Sequence, residues 1–296
     1  MRVIAIDLDG TLLATDKAIH ANDVNCLKQA NEQEHIVTIA TGRALFDAQH
    51  ILNKHGLSLP IIASNGAQIE VDNRIIYEQF MNGDAIREIM AWLNANQMYY
   101  QVYLNNRIVV SSLGIEQIKN QLRTVTSLHP AFPEPLFWEG IRSQTEQFGL
   151  EEVEGILEPS RYLDVVKIMV VSPMGEQLEA AKQSFGHIKE CYVSSSGLYN
   201  LEITSAGADK GAALHRVCKY FNSPLHQTIV IGDNLNDLPM FKVAGIGIAM
   251  GNADESLAPY TTYQTRSNQE CGVSYAFEQY INPLLNENVA IGRNPQ

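Results

Sequence analysis

The chain is short of cysteine, has no concentrated positive charge and lacks any long apolar run, and each shortage removes a class of protein. Cysteine occurs four times in 296 residues (Cys26, Cys191, Cys218 and Cys271), never as a CxxC pair. A disulfide framework is therefore not expected, and reduced thiols are. His215 and Cys218 share a helical face at i, i+3, but two ligands fall short of a zinc site. The net charge is −12 and no Lys/Arg-rich block exists, which argues against a nucleic-acid surface, because neutralising phosphates needs a basic face. No apolar run approaches a membrane span, and the first one, Ile4–Ile6, meets Asp7 too soon to be a secretory core. A cytoplasmic location, no membrane and no nucleic-acid partner are the resulting expectations. GxxxxGK(S/T) is missing, so no ATP-binding P-loop is expected. "GIGIAMG" (245–251) places its glycines inside a strand-like run, where a dinucleotide loop would need them between strand and helix.

What is present is an alternation of strand and helix signals. "RVIAI" is β-branched. "NDVNCLKQANEQ" carries Val24, Leu27 and Ala30 at helical spacing, with Asn22 as candidate N-cap. "HIVTIA" reads as a strand, "LFDAQHILNKHG" as a helix closed by Gly56, and "PIIASNG" as a third strand. Nearly all-apolar strands between helices indicate a parallel sheet covered on both faces. After Gly66 the rhythm changes. Hairpins are expected around Asp72-Asn73 and Asn105-Asn106, with helices "AIREIMAWLNANQ" and "MGEQLEAAKQSF" and strands "VVKIMVVS", "ECYVSS" and "LYNLEIT". From Gly207 the α/β rhythm returns. The expected fold class is α/β: a Rossmann-like parallel-sheet core formed by residues 1–81 and 205–296, with an α+β domain on an antiparallel sheet inserted at 82–204 and a hinge near Met81–Asp84. The tail after Pro283 is polar and aperiodic.

Four strand ends carry chemistry, and ligands of open α/β sheets sit beyond the carboxyl ends of the strands. "DLDGT" sets Asp7 and Asp9 one residue apart: one carboxylate can attack phosphorus while the other moves protons. "ATGR" offers the Thr41 hydroxyl and the Gly42 backbone before a helix, an anion cradle if it is more than a cap. Lys210 stands in the first turn of a helix, against the macrodipole; a surface lysine there should contribute little to stability, whereas an anion would justify the placement. "GDNLND" brings Asp233, Asn236 and Asp237 together, and a few carboxylate oxygens beside a phosphate suit Mg2+ better than zinc.

Taken in order, "DLDGTLL", "ATGR", "SNGA", "DKG" and "GDNLND" resemble the haloacid dehalogenase (HAD) superfamily, and more closely its Cof-type phosphatases, in which a large α+β cap follows the third core strand. The resemblance spans both core segments and includes "GIAMGNA" and "NQECGVSYAFEQYI"; the cap is similar in size and position only. It implies that Asp7 attacks the phosphoryl group to form an aspartyl-phosphate, and that Asp9 protonates the leaving alcohol and then activates water. It further implies that Asp7, the Asp9 carbonyl and Asp233 hold Mg2+, supported by Asp237. Leu8 (through its N–H), Thr41, Gly42, Lys210 and Asn236 would hold the phosphate. Ala208-Asp209 departs from the small apolar–Ser pair common in relatives.

The expected activity is hydrolysis of small phosphorylated metabolites, sugar phosphates foremost. A phosphomutase and a non-catalytic phosphoryl receiver are the alternatives. Arg107 and Arg123 are the candidate anchors for the second phosphate a mutase needs. Most cap aromatics (Trp92, Tyr99, Tyr100, Tyr103, Trp138) are expected in the core.

Overall fold

A computed structural model describes residues 1–135, 137–138 and 148–285. The expectation for the polar tail therefore falls mostly outside the described residues. In chain order the first elements are β1 (Val3–Ile6), α1 (Ala21–Glu32), β2 (Ile36–Ala40), α2 (Leu45–Lys54), β3 (Ile61–Ala63), β4 (Gln68–Val71) and β5 (Arg74–Glu78). Next come α3 (Gly83–Ala95), β6 (Tyr99–Tyr103), β7 (Ile108–Ser111), α4 (Ser112–Leu128), β8 (Leu150–Val153), β9 (Lys167–Val171), α5 (Gly175–Phe185), β10 (Cys191–Ser194) and β11 (Asn200–Ser205). Then follow α6 (Lys210–Tyr220), β12 (Ile229–Gly232), α7 (Leu238–Val243), β13 (Ile246–Ala249), β14 (Tyr263–Gln264) and α8 (Gly272–Ala276).

The chain divides into two compact units. The first comprises Met1–Thr41, Leu52–Ile62 and Lys210–Gln296. Its strands pair in the order β14-β13-β12-β1-β2-β3, all parallel. Every residue of β1 and β12 is buried, which explains their unbroken apolar runs: both faces of a parallel sheet are covered. Strand succession runs one way from β1 to β3 and the other way from β12 to β14. The carboxyl ends of β1 and β12 thus flank the topological switch point, where such sheets hold their ligands. Helix α1 buries Val24, Leu27 and Ala30. It starts at Ala21, with His20 at the N-cap and no side-chain cap bond, so Asn22 lies inside the helix and does not cap it. Asp23 is buried one residue further and accepts the Ser274 N–H at 2.7 Å.

The second unit comprises Gly42–Ile51 and Ala63–Asp209. Asp72 and Asn73 take φ of 51° and 58° in the β4–β5 hairpin, the left-handed pair that a two-residue turn requires. A six-stranded sheet runs β10-β11-β9-β6-β7-β8. It is antiparallel as expected except where β7 and β8 pair in parallel. The sequence reading names no element for 112–128, which forms α4, capped by the Ser111 side chain on the Leu113 N–H. Asn82 caps α3 by accepting from the Asp84 and Ala85 N–H groups. Tyr99, Tyr100 and Tyr103 are core residues, and Trp92 packs edge-on against Phe185.

Candidate active site

Asp7 follows β1 directly, and its N–H donates to Ile231 O of β12 at 2.9 Å, prolonging the parallel pairing by one residue. The chain then folds back on itself, with Leu12 N–H on Asp7 O and Leu13 N–H on Leu8 O. Gly10 makes this loop feasible. Its φ is +83°, and a Cβ there would collide with the Asp233 carboxylate. Gly232 plays the matching part at the end of β12, where a Cβ would fall 2.5 Å from Asp237 Oδ2.

The carboxylates converge in this space. Lys210 Nζ donates to Asp7 Oδ1 at 2.5 Å and to Asp237 Oδ1 at 2.6 Å, and its side chain is wholly buried. The cation faces inward, between two anions, which sets aside the surface-lysine alternative and corrects the expectation that this residue contributes little to stability. Asp237 Oδ2 accepts the Asp233 and Asn234 N–H groups at 2.9 and 3.0 Å, so both its oxygens serve as struts. Thr11 Oγ donates to Asp233 Oδ1 at 2.8 Å. Carboxylate oxygens of Asp7, Asp233 and Asp237 lie within 4.8 Å of one another, a cluster able to hold a metal ion.

Burial, and then the Asp237 charge, push the Asp7 carboxyl well above its ordinary range, and Lys210 offsets this only in part. The same two causes raise Asp233 to about 7, against the Thr11 hydrogen bond and the Lys210 charge. Burial disfavours the Lys210 ammonium, yet Asp237 and Asp7 outweigh it and hold its pKa above the usual value. One lysine among three buried carboxylates leaves negative charge uncompensated, and a cation would relieve it.

The remaining expected residues are placed as follows. Leu8 is fully buried next to Asp7. Asp9 is partly exposed, with Lys17 Nζ 3.3 Å from its Oδ1. Thr41 is buried just beyond β2, and Asn236 is buried in the turn after β12. Gly42 opens the second unit, where Lys167 Nζ donates to its carbonyl. Sequence reasoning missed Asn252, whose Nδ2 donates to Gly10 O at 2.9 Å and lies 3.4 Å from Asp233 Oδ2. Its position just past β13, at another strand's carboxyl end, was the signal available. Arg107 lies 3.0 Å from Glu151, and Arg123 bonds to Asn120 on its own helix.

Fold and site together describe an α/β protein with a cluster of buried carboxylates at the switch point of a parallel sheet. The haloacid dehalogenase-like hydrolase family model matches residues 4–277, and the chain belongs to that family, within its Cof-type branch. It is 34% identical over 285 residues to the Bacillus subtilis 5-amino-6-(5-phospho-D-ribitylamino)uracil phosphatase YwtE, covering 95% of this chain and 98% of that one. It is 32% identical to the Bacillus subtilis phosphatase YwpJ, over 95% of this chain and all of the relative. A solved haloacid dehalogenase-like hydrolase from B. subtilis superposes with a TM-score of 0.83 at 32% identity, over 95% of this chain and 100% of the other. The protein is a phosphatase of this family. No helix among the described residues is long and apolar enough to cross a membrane.

Proposed function

We propose that the protein is a Mg2+-dependent phosphatase that hydrolyses small phosphomonoesters through an aspartyl-phosphate on Asp7. The observation that carries this reading is the buried Asp7–Lys210–Asp237 chain beside Asp233, at the switch point. Lys210 fixes the aim of the Asp7 carboxylate and opposes the protonation that burial favours, and it presents positive charge where a phosphoryl group would accumulate negative charge.

The donor set suits a hard divalent cation: oxygen ligands only, with carboxylates already crowded and unfavourably charged. Asp7, the Asp9 carbonyl and Asp233 would hold Mg2+, which when bound neutralises phosphate charge. Asp237 stays out of that set in this assignment, because both its oxygens are engaged. In the first step Asp7 forms a bond to phosphorus as the bond to the alcohol oxygen breaks, and Asp9 gives that oxygen its proton. In the second, water attacks the phosphorus, Asp9 takes its proton, and the bond to Asp7 breaks. The partial exposure of Asp9 fits a group that exchanges protons with solvent. Leu8 N–H, Thr41, Gly42, Lys210 and Asn236 receive the phosphate.

The YwtE relative is named for a substrate bearing a phosphorylated sugar alcohol, and this supports sugar and sugar-alcohol phosphates as the substrate class. We assign their discrimination to the insertion at 82–204. The test is phosphate release from an aryl phosphate and from a panel of sugar and ribityl phosphates, with Mg2+ and with EDTA. Turnover should need Mg2+, and Asp7→Asn should remove it while the variant stays folded. Residual turnover above a trace in Asp7→Asn contradicts the covalent route.

A further inference from the structure

The six-stranded sheet of the second unit hides charge on one face. Lys167 on β9 and Glu202 on β11 are 0% and 2% exposed, and they pair at 3.2 Å. Strand alternation puts them on the same face as Tyr103 and Gln101, and Lys167 Nζ sits 4.1 Å above the Tyr103 ring. The opposite face, built on Tyr100, Val102, Ile168 and Val170, is apolar. Replacing a buried ion pair with apolar residues is often neutral or stabilising, so stability alone does not explain this pair.

Its other bonds suggest a purpose. Lys167 Nζ donates to the carbonyl of Gly42. Glu202 accepts from Asn65 Nδ2 on one oxygen and from Ser196 Oγ on the other. Ser64 N–H donates to Arg43 O at 2.8 Å. A Cβ on Gly42 would lie 3.1 Å from Asn65 Oδ1 and 3.2 Å from both Glu202 oxygens, so the turn is pressed against this network. Ser64 and Asn65 also hold left-handed φ of 48° and 55°, conformations that non-glycine residues keep only where their surroundings enforce them. All of these contacts lie within the second unit, and Gly42 is bonded to Thr41.

We infer that Lys167, Glu202 and Asn65 form a buried clamp that positions the Thr41-Gly42 turn for phosphate. None of the three is a catalytic residue; Lys167 and Glu202, on the six-stranded sheet, and Asn65, in the turn after β3, are positioning residues. The inference rests on the phosphate-binding role proposed above for Thr41 and Gly42.

The test uses the full chain with Lys167→Met, Asn65→Gly and Asn65→Asp. Two quantities are measured: amide hydrogen exchange over 42–45, and, with Mg2+, inorganic phosphate affinity together with kcat and KM for an aryl phosphate. Asn65→Gly guards against misfolding, because glycine accepts φ near 55° without strain and only the amide is lost. The clamp predicts faster exchange confined to 42–45, and about tenfold weaker phosphate binding and higher KM with a smaller change in kcat. Asn65→Asp should be worse than Asn65→Gly, since it sets a carboxylate against Glu202. Unchanged exchange in a folded Asn65→Gly overturns the clamp. Faster exchange with phosphate affinity intact reduces it to a structural contact and overturns the positioning role. If the wild type binds no phosphate and turns nothing over, the site reading fails, and the exchange data still decide whether the clamp holds the turn.

Discussion

Lys210 Nζ lies 2.5 Å from Asp7 Oδ1, so the group proposed to attack phosphorus is locked to a buried cation drawn from the far end of the chain. The same ammonium holds Asp237, which in turn fixes the Asp233 backbone. One lysine thereby sets the positions of two strand ends.

Lys210→Met should accordingly damage both activity and stability. Loss of a preorganised charge at the phosphoryl group should lower kcat/KM by about a thousandfold. Loss of one partner from a buried pair costs about 3–5 kcal/mol, which at about 2–4 °C per kcal/mol is a fall of roughly 6–20 °C in Tm. Near-normal Tm with collapsed kinetics would show that the buried carboxylates need no counter-charge.

The raised Asp233 carboxyl gives a pH test in metal-free protein. Its folded pKa of about 7 exceeds the ordinary 3.8, so between those values the native state binds more protons than the unfolded one. Stability from this group is therefore lost as pH rises through about 7. Asp233→Asn keeps an oxygen for Thr11 and carries no charge. It should melt several degrees above the wild type at pH 8 with EDTA, and the gap should narrow as pH falls below about 7 and close only near the ordinary value of 3.8, where the unfolded carboxyl is protonated too. A gap constant with pH, or reversed at pH 8, would contradict the burial account. With Mg2+ the wild type should recover the difference, because bound metal stabilises the folded state.

Much of this was legible from the residues because the core obeys local rules. The apolar runs of β1 and β12 announce strands buried on both faces, and their abrupt end at Asp7 and Asp233 announces the site. Asp72-Asn73 marks its hairpin through the turn chemistry itself. Other features depend on partners distant in sequence. Lys210 reads as an unfavourable helix-start cation until Asp7 and Asp237 are seen around it. Asn252 carries no local signal beyond its place after a strand. Helix α4 escaped because "SSLGIEQIKNQLRTVTSL" mixes β-branched and polar residues with a glycine. The parallel pairing of β7 with β8 has no sequence mark at all, since register across a long connection is decided by tertiary packing.

Phosphatase and phosphomutase share the first step and differ in what attacks the aspartyl-phosphate. Arg107 lies beside Glu151 and Arg123 bonds to Asn120, and the relatives are named as phosphatases. Turnover of a sugar phosphate in ¹⁸O-water should therefore place label in inorganic phosphate at the rate of substrate loss. Accumulation of an isomeric sugar phosphate, dependent on a bisphosphate activator, would transfer the assignment to a mutase.

In the proposed reaction Asp7 takes the phosphoryl group before water does, and the steric course at phosphorus tests this most directly. Two successive in-line displacements each invert the centre, so hydrolysis of an isotopically chiral phosphate ester should proceed with net retention. Net inversion would mean that water attacks the substrate itself, and Asp7 would then be no nucleophile.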